Sequence, residues 1–334
     1  MATAALEAYA QAVVVSFDLA ASSTAATREM LYRAHAYCEQ TETGPQGCNL
    51  ALRLLCQSTD PRIGFHCLQV LQRKLEDDGT WALLQKSGDN ITVRLALLQR
   101  DASQDPRFVR TKMGVVLALF VKREFPASWP SAFDDLLATV SRNQGAADVF
   151  LWTMMALEED VIGMAAGTAE AADLKDAMRV DAVRKLAQGF IHLFASYGES
   201  DADVARRALG CLGAMVAWAD IGLVADNASF IGLVLERLAN ANFAASVLQF
   251  MCRLVHKGMP AHAKVRLIAR LGLADVVIAM AGALARNELH VSAPALAAPA
   301  RAEAWQGLPV ADAATRYVRP AALADSHNET QCPA

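Results

Sequence analysis

Residues 119–133 read "LFVKREFPASWPSAF". Just upstream, "RFVRTKMGVVLALFVKRE" (residues 107–124) repeats apolar residues at helical spacing. Pro126 and Pro130 then follow, with Trp129 directly before the second. Proline ends a helix because it lacks an N–H and clashes with the preceding turn, yet it is tolerated in the first turn of a new one. The stretch therefore predicts a helix running to Phe125, a cap at Ser128 or its neighbour, and a new helix "PSAFDDLL" from Pro130. Trp129 lies in the tight corner between them, where a large ring can seal the end of a stack. This is a junction between helices rather than a reactive site.

Working outward, the same texture recurs. Helical periodicity is broken by short loops, and no Asn-Gly or Asp-Gly hairpin signal separates alternating runs. The fold class is all-α. Single helices are expected over residues 80–101 and 171–197, with "GMAAGTAEAAD" (residues 163–173) as a loop or helix extension before the second. The second helices of successive pairs begin near Asp60, Asp105, Ala146, Asp201 and Asn242. That spacing is mostly in the range of about 40–47 residues expected of HEAT or armadillo repeats. Asp60-Pro61 and Asp105-Pro106 look like one device used twice, with Asp as N-cap and Pro in the first turn. Stacked helix pairs of this period make a right-handed α-solenoid of HEAT-like pairs, assigned to residues 1–287. Residues 288–334 are rich in Ala and Pro without a sustained period, and read as a disordered tail.

Composition bounds the function. The 334 residues are 54% hydrophobic and 20% charged, with a mean hydropathy of +0.22, enough for a large core. A formal net charge of -4 argues against a simple basic nucleic-acid binder but leaves room for a local basic face. Seven cysteines lie in apolar contexts with no C-x-x-C pair, which predicts reduced core thiols of a cytosolic or nuclear protein. The spacing offers zinc no ligand cluster. The N-terminus lacks a basic n-region, and the longest apolar runs fall short of a membrane span, so neither a signal peptide nor membrane insertion is expected.

No phosphate loop, dinucleotide fingerprint, nucleophile elbow or zinc-protease motif occurs, so neither an enzyme nor a cofactor is expected. Gly210 and Gly213 suit close helix packing, and His192 suits a core or boundary position. The acidic pairs at residues 134–135 and 158–159 suit helix termini or solvated faces. The polar faces of the second helices say more. Arg62, His66, Gln69 and Arg73 form one stripe; Asn242, Ser246, Gln249, Arg253 and His256 repeat its spacing, with Lys257 beside it. Arg107 and Arg110 open a third such helix, and Arg206 and Arg207 a fourth. Any single stripe could be a solvated face. Their recurrence on the second helix of several repeats points to a ladder that contacts a partner.

The segments "FHCLQVLQRKL" (residues 65–75) and "FVRTKMGVVLALFVKREFPASWPSAFDDLL" (residues 108–137) resemble the N-terminal region of importin-β-like transport receptors. More specifically, "GCLGAMVAWADIGLVADNASFIGLVLERL" (residues 210–238) and "VLQFMCRLVHKGMPAHAKVRLIARLGLADVV" (residues 247–277) resemble the exportin-T family. The likeness runs from about Asn49 to Asn287. It implies a nuclear export receptor that shuttles between nucleus and cytoplasm past nuclear pore proteins. Such a receptor binds Ran in its GTP form together with tRNA, and releases tRNA after GTP hydrolysis on Ran. Carried onto this sequence, it implies Arg62, His66, Gln69, Arg73, Arg107 and Arg110 as Ran-facing, and Arg206, Arg207, Arg253, His256 and Lys257 as tRNA-facing. Family members are considerably longer, so weak or absent tRNA affinity is expected of this chain alone. A HEAT-repeat scaffold for proteins, without RNA binding, is the alternative.

Overall fold

The computed structural model describes residues 2–18, 25–44, 46–159, 168–274 and 278. Every regular element among them is a helix, and the chain forms two compact units that divide at residues 193 and 194, inside one helix. The tail expected at 288–334 lies outside the described residues, as do residues 160–167 of the expected Ala/Gly-rich loop.

The first unit begins with α1 (Ala2–Asp18), α2 (Ala25–Thr43), α3 (Gly47–Gln57) and α4 (Pro61–Glu76). It continues with α5 (Asp78–Ser87), α6 (Asp89–Gln99), α7 (Arg107–Glu124), α8 (Ala132–Val140), α9 (Gln144–Leu157) and α10 (Ala169–Asp181). The helix α11 (Val183–Tyr197) runs on into the second unit. There α12 (Ala202–Val216), a single turn α13 (Gly222–Ala225), α14 (Ala228–Leu238), α15 (Ala244–His256) and α16 (Ala261–Arg270) follow. Within the first unit α3 packs on α4 and α8 on α9, while α4, α7 and α9 stack side by side. In the second, α12 stacks on α15 and α14 pairs with α15. These are HEAT-like helix pairs, with second helices stacked from one repeat to the next.

The Pro-Trp-Pro corner forms as the sequence indicates, with shifted boundaries. The helix α7 ends at Glu124 and Phe125 closes it by donating its N–H to the Val121 carbonyl; the next helix starts at Ala132 with Ser131 as its N-cap, rather than at Pro130 with a cap at Ser128. Trp129 is only 2% exposed and donates from Nε1 to Asp135 at 2.6 Å. Asp135 also accepts from the Ser131 hydroxyl at 2.9 Å, so its carboxylate ties the corner to the first turn of α8.

Two expected single helices are broken. Gly88 adopts φ +77, a left-handed conformation that closes α5 and opens α6. Between α10 and α11 the break falls at Ala182, whose φ of -103 lies well away from that of a regular helix. The two Asp-Pro sites also differ from each other. Asp60 caps α4 by accepting from the Arg62 N–H at 2.9 Å. Asp105 does not cap: Pro106 is the N-cap of α7, and the Asp105 carboxylate takes two bonds of 2.9 Å from Arg100. A guanidinium fork satisfies both carboxylate oxygens and outcompetes a backbone N–H.

A recurring tie explains how repeats hold together. The last carbonyls of a helix lack intrahelical partners and carry the negative end of its dipole. Basic side chains roughly one repeat further on supply them. Arg100 reaches Leu55 O at 2.5 Å, Arg123 reaches Glu76 O at 3.0 Å, and Arg142 bonds Leu98 O. In the second unit Arg237 reaches Gly198 O at 3.1 Å and Lys257 reaches Val216 O at 2.8 Å.

Close approach of helices accounts for some glycines and not others. A Cβ at Gly114 would stand 2.6 Å from the Trp152 Cβ and 2.8 Å from the Thr153 N, where α7 crosses α9. Gly213 is less crowded, with side-chain atoms of Arg253 and Phe250 at 3.1 and 3.2 Å, and Gly210 has nothing within 4 Å of that position. So Gly210 is not the packing glycine that its sequence context suggests. Gly114→Ala is expected to destabilise by about 1–3 kcal/mol through overpacking, despite a gain in helix propensity. Gly210→Ala, with the same propensity gain and no clash, is expected to stabilise by up to about 1 kcal/mol. Urea unfolding of the two variants checks the opposite signs.

Candidate partner-binding surfaces

The first stripe does not face solvent as one surface. Asp60 holds Arg62 at 2.7 Å, at the start of its own helix. Gln69 is half-buried. His66 is only 14% exposed and turns inward, with Nε2 2.8 Å from Glu42 and its ring edge-on to Tyr9. Arg73 reaches the other oxygen of Glu42 at 2.5 Å, yet its side chain stays 65% exposed. A sequence stripe misses this because the acid that draws His66 in comes from α2, more than twenty residues earlier. Burial alone would raise the Glu42 carboxyl. The bond and charge of His66, then of Arg73, outweigh that and hold it below the ordinary carboxylate range.

On α7, Arg107 is exposed and lies over the Trp152 ring at 5.3 Å. Arg110 also meets α9, pairing with the buried Asp148 at 3.3 Å. Lys112, which the stripes omit, bonds Gln72 of α4, and burial pushes its ammonium pKa down. The acidic residues at 134–135 sit at a helix terminus as expected, with Asp134 paired to Lys185 at 2.7 Å.

The second unit's candidates are more structural than their spacing suggests. Arg206 pairs with Asp203 and donates to Asn242 O at 2.9 Å, and Arg253 donates to Gly210 O at 3.0 Å. With Lys257 they tie α12 to α15 and the loop before it. Arg207 is half-buried. His256 is exposed, with Nδ1 2.8 Å from Cys252 O. His192, expected in the core or at its boundary, is exposed.

A polar centre that the sequence does not announce lies beneath the Pro-Trp-Pro corner. Glu124, 1% exposed, accepts from Asn90 at 2.6 Å and is ion-paired to Arg94. The Arg94 guanidinium also lies 4.5 Å from the Trp129 ring centre. Burial lowers its pKa, with Asp135 opposing.

The cysteines at 38, 48, 56, 67, 211 and 252 are free thiols, four of them buried. The fold brings Cys38 and Glu42, one turn apart on α2, up to His66 on α4, with their ligand-capable atoms all within 4.8 Å of one another. Spacing along the chain could not reveal this, since the third group comes from another repeat. No helix among the described residues is long and apolar enough to cross a membrane.

The family of Exportin 1-like proteins matches residues 106–251. Exportin-T of Arabidopsis thaliana is 30% identical over 251 residues, covering 71% of this chain and 25% of the plant protein. Exportin-T of Oryza sativa subsp. japonica is 30% identical over 279 residues, covering 78% of this chain and 28% of that protein. The Homo sapiens Exportin-T is 26% identical over 249 residues, covering 72% and 26%. The chain thus spans about a quarter of the length of the curated relatives it matches. With HEAT-like pairs stacked on their second helices and these matches across most of its length, the chain belongs to the exportin-T family and corresponds to its N-terminal portion.

Proposed function

We propose that this chain serves as part of a nuclear export receptor that binds Ran in its GTP form and tRNA, and releases tRNA in the cytoplasm after GTP hydrolysis on Ran. It then works in nucleus and cytoplasm, meets nuclear pore proteins in transit, and acts by binding rather than catalysis. The observation that carries the reading is the match to proteins named Exportin-T over about 70% of the chain, on a HEAT-like array. Side-chain exposure supports some of the candidate residues over others. Arg73 and Arg107 keep exposed side chains on neighbouring second helices, so they are the Ran-facing residues favoured here, with Arg62 and Gln69 beside them. His66 and Arg110 are turned to internal acids and would act through the shape of α4 and α7.

For RNA the candidates are Arg206, Arg207, Arg253, His256 and Lys257; Arg206, Arg253, His256 and Lys257 also bond backbone carbonyls, so these residues would reach RNA through their remaining donors. Phosphate contacts of this kind make binding fall steeply with salt and recognise shape rather than sequence.

The test is titration of the chain with Ran carrying a non-hydrolysable GTP analogue, against GDP-loaded Ran. Selective binding of the GTP form is expected, and Arg73→Gln with Arg107→Gln should weaken it by at least about tenfold, or 1.4 kcal/mol. Equal or absent binding of the two forms overturns the Ran reading and leaves a protein-binding HEAT scaffold.

A further inference from the structure

We propose that Cys38, Glu42 and His66 form a transition-metal site, best matched to zinc, at the junction of α1, α2 and α4. Their donor atoms are a sulfur, a carboxylate oxygen and an imidazole nitrogen, mutually within 4.8 Å. Thiolate, imidazole and carboxylate together select zinc or a similar borderline ion over magnesium or calcium, which take oxygen ligands. In a tetrahedral zinc site such donors stand roughly 3.4–3.6 Å apart, given metal–ligand distances near 2.0–2.3 Å. The cluster needs a modest contraction at sulfur and a modest opening of the 2.8 Å contact between His66 Nε2 and Glu42.

A second observation points to a ligand. Tyr9 of α1 is fully buried, and its hydroxyl has no hydrogen-bond partner among the described residues. Its ring stands edge-on to His66 at 5.9 Å. An orphaned buried hydroxyl is costly. A water in the metal's fourth position would give it a partner.

The two oxygens of the Glu42 carboxylate already have separate partners. One faces His66, and the other is held by Arg73 at 2.5 Å. Arg73 then acts as the outer partner that orients a ligating carboxylate. Without metal the Cys38 thiol is protonated at neutral pH, pushed up to about 11 by burial and by Glu42. Binding would send that proton to solvent, so affinity rises with pH. The bound ion would join the first two repeats through side chains of α2 and α4.

The test adds cobalt(II) to the reduced, metal-free full chain. Expected are one bound equivalent, the visible bands of a tetrahedral ion, a near-ultraviolet thiolate-to-cobalt band, and displacement by zinc. Cys38→Ser should remove the thiolate band, and His66→Asn should weaken binding by at least about 100-fold, more than the loss of an outer partner. Cys48→Ser, which changes a buried thiol outside the cluster, should leave the spectrum intact. Absence of the band in the unsubstituted chain, or its survival in Cys38→Ser, overturns the site. Should Cys38→Ser fail to fold, zinc protection of Cys38 from alkylation, read by peptide mass mapping of the unsubstituted chain, decides. At least tenfold slower labelling is expected, and an unchanged rate overturns the proposal.

Discussion

Glu124→Ala is expected to cost the first unit about 3–5 kcal/mol, because it leaves the Arg94 guanidinium buried without its counter-charge. Glu124 is deep beneath the corner and bonds both Asn90 and Arg94, so its loss also strands an amide donor. Glu124→Gln keeps an acceptor for Asn90 and should fall between the two. The pair need not be the most stable filling of that space. A double variant, Glu124→Leu with Arg94→Met, is expected to recover most of the loss, since well-packed apolar groups often match or exceed a buried ion pair. Urea unfolding followed by circular dichroism measures all of these, and the cycle isolates the coupling. A loss below about 1 kcal/mol for Glu124→Ala would mean that water reaches Arg94.

Phe230→Ala is expected to cost the second unit a similar 3–5 kcal/mol. Phe230 meets Phe194 at 5.8 Å and Phe250 at 5.9 Å, both edge to face, and Phe194 meets Phe243 at 6.0 Å. All four rings are buried, so truncation at the centre opens a cavity that stiff neighbours fill poorly. Val265, exposed on α16, is the comparison: its change to Ala should stay within about 0.5 kcal/mol. Unfolding of Phe230→Ala that matches Val265→Ala would remove the aromatic cluster as the second unit's core. Glu124 and Phe230 lie in different units. Two separated transitions in either variant would show that the units unfold independently, and one shared transition that they do not.

What the sequence discloses follows the range of the interaction. The helices, their repeat spacing and the Pro-Trp-Pro corner depend on residues a few positions apart, and they are legible. Gly88 is legible in principle: Ser-Gly-Asp between two periodic runs is a chain-reversal signal, overridden by the continuity of the apolar pattern around it. Asp105 shows the next level. Asp-Pro alone suggests a cap, but Arg100 five residues earlier takes the carboxylate. The candidate surfaces are least legible. Helical spacing shows which residues share a face, but not what that face meets. His66 meets Glu42, Arg110 meets Asp148 and Lys257 meets the end of α12, each across a repeat boundary. Arg73 and Arg107 keep their exposure because no acid of a neighbouring repeat covers them fully.

The carbonyl ties between repeats have a mechanical meaning. Each centres on a short bond at the end of a helix, at 3.0 Å for Arg123 on Glu76 and 2.8 Å for Lys257 on Val216. Sliding one helix past its neighbour by a turn, about 5.4 Å, breaks such a bond outright. Rocking the two helices about the bonded end leaves it nearly unchanged. The ties thus behave as pivots that resist shear and permit tilt. Within each unit, a partner pressing on the stacked helices would meet a spring that bends at its joints and keeps its register.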